Sequence, residues 1–131
     1  GVRAGDPMKA KHLEKALMQF AEEGAAKVFK PNIGSGFIVG VVGALQFEVL
    51  ASRIELEYGL PVRFEPTQFT SARWVAGEKQ AMDRFVTANK QHIAHDHDGD
   101  TVYLTRLQWD IDRVERDYPE LRLADTKEMQ V

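Results

Sequence analysis

The chain has 131 residues, a formal net charge of −3, 44% hydrophobic residues and no cysteine. This length fits one ordinary domain with a sizeable core, and the lack of cysteine excludes a disulfide framework, a thiolate zinc site and a cysteine nucleophile. No apolar run could cross a membrane, and the start lacks a signal-peptide core, so we expect a cytoplasmic protein without a membrane partner. Because the chain begins with glycine and not methionine, we also expect it to be a piece of a longer protein.

The first half of the chain predicts a helix followed by a hairpin. Asp6 and Pro7 resemble an N-cap and the first helical residue, and we predict an amphipathic helix from Pro7 to Glu23 that Gly24 ends. Its apolar residues recur at steps of four and three, which places them on one face: Leu13, Leu17 and Phe20. The alternating segment 26–30, the turn "PNIGSG" and the apolar run 37–42 then predict a hairpin whose second strand is central.

A second helix is predicted from Ala44 to Tyr58, ended by Gly59. We expect its buried stripe to consist of Leu45, Val49 and Leu56, with Ser52 in line and Leu50 and Ile54 beside it. The segment 61–66 alternates Val62 and Phe64 inward with Arg63 and Glu65 outward, which predicts a short strand.

The order helix, strand, strand, helix, strand indicates an α+β fold. With one more strand upstream of Asp6 it becomes the ferredoxin-like split βαβ pattern, with helices on one face of the sheet and its first strand largely missing from this chain. We therefore predict a ferredoxin-like core over residues 1–66. Residues 67–131 are expected to be a C-terminal α/β extension packed on that core within the same domain.

The extension has its own sequence of elements. "ARWVA" is a strand candidate, Lys79 to Ile93 has helical periodicity, and "TVYLTRL" alternates as a strand does. A short acidic helix from about Asp110 to Tyr118 and a terminal strand "LRLA" complete the chain.

The glycines of "FIVGVVGALQFEVL" do not form a phosphate-binding loop. A Walker-type loop ends in Lys and Ser or Thr, but no lysine occurs between Lys30 and Lys79. A dinucleotide fingerprint that starts at Gly34 would need a third glycine where Val39 stands. We interpret Gly43 as a strand-to-helix joint placed for close packing. No catalytic residue and no cofactor site are predicted.

The segment "HIAHDHDGDTVYL" is a candidate metal site. Its carboxylates match the start of a calcium loop, but Thr101 stands where the turn glycine belongs and Leu107 where the bidentate glutamate belongs. Two histidines and an aspartate could serve zinc, although ligands that adjoin in one turn rarely close a tetrahedron. We predict a solvated hairpin turn and no metal, and a metalloenzyme stays as an open alternative.

Charge is distributed unevenly along the chain. Residues 91–131 carry five Lys and Arg against ten Asp and Glu, so any contact with phosphate has to use the first ninety residues. Lysines recur at helical spacing within the first predicted helix, and two arginines project from the ends of predicted strands. The candidate contact residues are Lys9, Lys11, Lys15, Arg63 and Arg73. Each could equally be an ordinary solvated charge.

Three segments carry a family resemblance across nearly the whole chain. "DPMKAKHLEKALMQFAEEGAAKVFKP", "GVVGALQFEVLASRIELEYG" and "ARWV", with "RDYPELRL" and "DTKE" near the end, resemble the C-terminal domain of the peptide chain release factor three family. These factors are bacterial translation-termination GTPases related to elongation factor G, whose corresponding domain III is ferredoxin-like. The resemblance thus implies the same fold as the order of elements.

The resemblance also implies a function. The intact factor would bind the ribosome, contact ribosomal RNA and ribosomal proteins, and promote the GTP-dependent recycling of class I release factors, which it affects indirectly. Its GTP or GDP and Mg²⁺ would bind in an upstream GTPase domain, next to a barrel domain, and this fragment would not be an enzyme. The alternative is a small-molecule-binding regulatory module, because ferredoxin-like sheets serve many functions.

Overall fold

The computed structural model describes residues 7–33 and 36–125, which form two compact units. The described residues of the first unit are 7–30 and 36–67, and those of the second are 31–33 and 68–125. The predicted α+β class is confirmed, and the first unit has the helix, strand, strand, helix order of the split βαβ pattern. The strand proposed upstream of Asp6, and the N-cap at Asp6 itself, lie outside the described residues.

Helix α1 spans Pro7–Glu23, as its periodicity predicts. Leu13 and Leu17 are fully buried and Phe20 is 1% exposed, so the predicted inward face is confirmed. Gly24 ends the helix with a φ of +76°, a conformation that glycine adopts without strain. The chain turns there so that the N–H of Ala25 donates to the Phe20 carbonyl at 2.9 Å.

Strands β1 (Lys27–Pro31) and β2 (Ile38–Gly40) form the predicted antiparallel hairpin, with Val28 opposite Val39. The prediction that the second strand is central stays a prediction, because the strand proposed upstream of Asp6 lies outside the described residues. Among the described residues, β2 pairs with β1 alone and lies at the edge of its sheet. Val39 is buried, as expected of a strand covered on at least one face, and the apolar run ends in Val42, which is fully exposed.

Helix α2 spans Leu45–Tyr58, close to the predicted bounds, and Gly59 ends it with a φ of +62°. The prediction of its buried face is wrong. Leu45, Val49 and Leu56 are 74%, 49% and 83% exposed, whereas Leu50 and Ile54 are 2% and 0% exposed. The buried pair lies roughly 140° around the axis from the exposed stripe, at 100° per residue. The helix is apolar on two faces, and periodicity alone did not identify the inner one.

The α1 and α2 helices pack side by side, with His12 and the ring of Tyr58 6.2 Å apart. Their inward residues join those of the hairpin in one apolar cluster. The segment 61–66 forms no strand, which corrects that prediction. Val62 and Phe64 nevertheless pack against the cluster and Arg63 is exposed, because alternating side chains of any extended segment point to opposite sides.

The second unit contains four strands and two α-helices within its described residues. The strands are β3 (Ser71–Ala76), β4 (Ile93–His95), β5 (Thr101–Thr105) and β6 (Arg122–Ala124), and they lie antiparallel in the order β4-β5-β3-β6. The helices are α3 (Lys79–Ala88) and α4 (Gln108–Asp117).

Most elements of this unit are where the sequence predicts them, with one exception. The helix predicted from Lys79 to Ile93 is too long. Helix α3 stops at Ala88, a single 3-10 turn covers Lys90–His92, and Ile93 already belongs to β4. The core lies around Phe85, whose ring meets those of Tyr103 and Tyr118 edge-on, each at 5.3 Å between centroids.

Candidate functional site

The three lysines of α1 are exposed, but they do not form one stripe. Lys11 and Lys15 are one helical turn apart and therefore lie on the same face. Lys9 is two residues before Lys11, which turns its side chain roughly 200° away. Within residues 7–33 and 36–125 none of the three forms an ion pair, so Lys11 and Lys15 present two uncompensated charges side by side.

The two candidate arginines differ from each other in exposure. Arg63 is exposed in the extended segment of the first unit. Arg73 lies in β3 of the second unit, where it is half-buried and its Nη1 donates to the Ala72 carbonyl at 2.9 Å. Arg63 is therefore free to contact an external anion with its whole guanidinium group, whereas Arg73 offers only part of its donors.

A charged pair that the sequence analysis missed joins the two helices of the first unit. Arg53 of α2 donates two hydrogen bonds to Glu23 at the end of α1, from Nη1 to Oε2 at 2.9 Å and from Nη2 to Oε1 at 3.2 Å. Its guanidinium carbon lies 4.6 Å from the centroid of the Phe20 ring. The hydrogen bonds from Arg53 and then from Gln19 lower the pKa of Glu23 below its ordinary value.

This pair links α1 to α2 at the surface, beside the buried residues Leu13, Leu17 and Phe20 that orient α1. A bidentate arginine and carboxylate define both distance and orientation. Because Glu23 and Arg53 are thirty residues apart, no local sequence pattern reveals the pair. The sequence identifies Glu23 only as the last residue of the first predicted helix.

The start of α2 is not closely packed at Gly43, although close packing was predicted there. A side-chain carbon added at Gly43 would have no atom within 4 Å, so the close approach predicted there is wrong. The first turn of α2 carries the acidic Glu48, and the residue at the N-cap is Ala44, which makes no side-chain cap bond. A carboxylate in the first turn opposes a second anion at that end of the helix.

The His and Asp segment forms the turn of the β4–β5 hairpin, as predicted. Asp96, His97 and Asp98 have ligand atoms within 4.8 Å of one another, which is close enough for a metal ion. However, Asp96 Oδ1 accepts from the N–H groups of Asp98 and Asp100 at 3.0 and 2.9 Å. Its Oδ2 accepts from Trp74 Nε1 at 2.9 Å.

The buried carboxylate of Asp96 therefore serves the turn itself. Its two oxygens together accept from three N–H donors, so hydrogen bonds within the protein compensate the burial of this carboxylate. The sequence did not reveal that Asp96 accepts hydrogen bonds at the end of a strand. No strand was predicted before it, and its donor Trp74 lies 22 residues earlier in the sequence. The geometry favours a structural role for this segment.

No helix in the described part of the chain has both the length and the apolar character to cross a membrane. The first unit thus carries exposed basic side chains and an interhelical ion pair, and the second unit carries a hydrogen-bonded turn. Both units are built from α-helices and antiparallel strands.

Comparison with known families agrees with this architecture. Residues 1–115 match the family described as Class II release factor RF3, C-terminal domain. The chain belongs to this family of release factor domains. It is similar to peptide chain release factor 3 of Nitrosomonas europaea, with 39% identity over 128 residues, which is 97% of this chain and 24% of that relative. The chain thus spans about a quarter of the length of the curated relative it matches.

These matches support the release factor interpretation over the small-molecule-binding module. They cover residues of both units, since the family match runs into α4. Whether residues 67–131 belong to the same domain as 1–66 stays a prediction.

Proposed function

We propose that this chain is the ribosome-contacting part of a GTP-dependent release factor that recycles class I release factors during translation termination. Membership of the release factor family carries the proposal. In such a factor, GTP or GDP and Mg²⁺ bind in an upstream GTPase domain. This chain supplies no catalytic residue and transmits the position of that domain to the ribosome.

The contact that we propose uses the pair Lys11 and Lys15. Both are exposed, one turn apart and without an ion-pair partner in the described residues, so they offer two positive charges at a spacing that suits neighbouring phosphates. Arg63 is a second, separate contact of the same unit. Lys9 and Arg73 are weaker candidates, because Lys9 points elsewhere and Arg73 spends part of its donors on Ala72.

Ribosome pelleting at several salt concentrations tests this contact in a full-length factor that carries the chain. Lys11→Ala together with Lys15→Ala should weaken binding most at low salt and flatten the dependence of log K on log salt by roughly 1.5 to 2, because two fewer counterions are released. The matched control, Lys79→Ala with Lys90→Ala, removes two exposed lysines of the second unit. The two double variants therefore have the same net charge.

Two results would contradict the contact. Equal losses in both double variants would mean that only net charge matters, and unchanged binding in both would remove α1 from the contact surface. A separate titration of the 131-residue chain with GTP should give no heat of binding. Micromolar affinity would contradict the assignment of nucleotide to an upstream domain.

A further inference from the structure

Helix α2 has an apolar face that points away from its own core. We define the outer face of α2 as Leu45, Val49, Ser52 and Leu56. The three apolar members are 74%, 49% and 83% exposed, and Val42 just before the helix is fully exposed. At steps of four, three and four these residues fall within about 60° of one another around the axis, so they form one continuous stripe.

The core of the first unit does not need this stripe to be apolar. Leu50 and Ile54 already bury the inner side of α2 against the core of the first unit. A helix that only covers a core needs one apolar stripe and is polar elsewhere. Single exposed leucines are ordinary, but a row of apolar residues along three turns of a helix marks a binding surface.

The two edges of the outer face differ in charge. Glu48 and Glu55 lie seven residues apart on one edge, both exposed, and neither forms an ion pair among the described residues. On the other edge Arg53 is held by Glu23 at 2.9 Å and lies 3.6 Å from Glu57. The available charge beside the stripe is therefore negative.

We propose that the outer face of α2 is a docking site for an amphipathic protein helix whose apolar ridge is flanked by lysine or arginine. Apolar anchors at steps of three and four supply affinity in such a groove. The acidic edge selects a basic partner by electrostatic complementarity.

A second copy of this chain fits the face less well. In an antiparallel pair of α2 helices the acidic edges would face each other, and like charges oppose association. In a parallel pair the acidic edge would face Arg53, which is already committed to Glu23. The charge pattern thus favours a different, basic occupant.

A synthetic peptide helix of about four turns tests the site, with leucines at i, i+4, i+7 and i+11 and lysines beside them. Its binding to the 131-residue chain is followed by fluorescence anisotropy. One comparison peptide has glutamate in place of lysine, and another has the same composition in scrambled order. The lysine peptide should bind best, and salt should weaken it.

Variants of the chain locate the binding. Leu45→Gln with Leu56→Gln should weaken the lysine peptide by roughly tenfold or more, since apolar anchors dominate such sites. Leu107→Gln with Trp109→Gln removes two exposed apolar residues of the second unit and should change nothing. Glu48→Lys with Glu55→Lys should reverse the preference, so that the glutamate peptide binds better. Melting curves of each variant confirm that it is folded.

Several outcomes would overturn the proposal. They are equal binding of all three peptides, unchanged affinity in the Leu45 and Leu56 variant, and a charge reversal that leaves the preference as it was. Sedimentation supplies another: self-association at micromolar concentration that Leu45→Gln with Leu56→Gln abolishes would make a second copy the occupant. None of these results depends on ribosome binding.

Discussion

The two units bury different kinds of side chain. In the first unit, every buried residue of the described part is apolar, whereas in the second Asp96 and Thr105 are buried at 8% and 0% exposure. Both polar residues stand at strand ends: Asp96 follows β4, and Thr105 is the last residue of β5. The second unit thus uses hydrogen bonds to define where its strands stop.

The bonds of Thr105 show how this works. Its hydroxyl lies 3.1 Å from the Leu107 carbonyl and 3.0 Å from Asp110 Oδ2, and it accepts from the Leu107 N–H at 3.3 Å. These contacts join the end of β5 to the start of α4. A buried polar group with all its partners specifies one geometry, while an apolar cluster of the same size tolerates small shifts.

Truncation in the apolar unit should give the largest effect. Leu17→Ala removes a fully buried side chain from α1 and leaves a cavity, so we expect a loss of about 2 to 5 kcal/mol in the free energy of unfolding, measured with urea. Leu56→Ala is the matched control on the outer face of α2 and should change stability by no more than about 0.5 kcal/mol. Equal losses would show that the outer face is buried in solution.

Removing the buried carboxylate of the second unit should have a smaller effect. Asp96→Ala leaves two backbone N–H groups and the Trp74 indole without that acceptor, so we expect a loss of about 1 to 3 kcal/mol. Trp74 fluorescence should change as well. Asp83→Ala, an exposed aspartate of α3, is the control.

The chain without substitutions tests whether this turn binds a metal ion. EDTA should leave the melting temperature unchanged, because N–H donors occupy the carboxylate of Asp96. A structural metal would contribute several kcal/mol, and its removal would lower the melting temperature by many degrees. Such a drop would identify the turn as a metal site.

The two helices of the first unit show which sequence predictions could succeed. Helix α1 could be placed residue for residue, because its leucines form a single stripe and glycine ends it. Helix α2 has two apolar stripes, and nothing in their spacing says which one meets the core. Deciding between Leu50 and Leu45 required the positions of the neighbouring elements.

Strand β4 was missed for a related reason. It has only three residues, and it follows α3 after a single 3-10 turn, so the helical pattern runs into it. The strand ends at Asp96, whose carboxylate accepts from the nearby N–H groups of Asp98 and Asp100 and from the indole of Trp74, which is distant in the sequence. At the candidate site, the exposure of Lys11 and Lys15 could be predicted from helical spacing, but the pair formed by Glu23 and Arg53 could not.

The smallest effect of a substitution is expected at the pair of Glu23 and Arg53, and its size depends on pH. Because the hydrogen bonds from Arg53 hold the folded-state pKa of Glu23 below its ordinary value of 4.5, the carboxylate stabilises the first unit at pH values above 4.5. This contribution is lost as the pH falls through the lowered pKa. Glu23→Gln should therefore lower the melting temperature slightly at pH 7, and the difference from the unmodified chain should vanish in strong acid.

Glu22→Gln, the exposed neighbour, should show no such trend, and added salt should reduce the difference at Glu23 because the pair is partly exposed. A difference that stays constant from pH 7 into strong acid would mean that the charge of Glu23 does not hold α1 against α2, and the orientation of Lys11 and Lys15 would then depend on the apolar cluster alone.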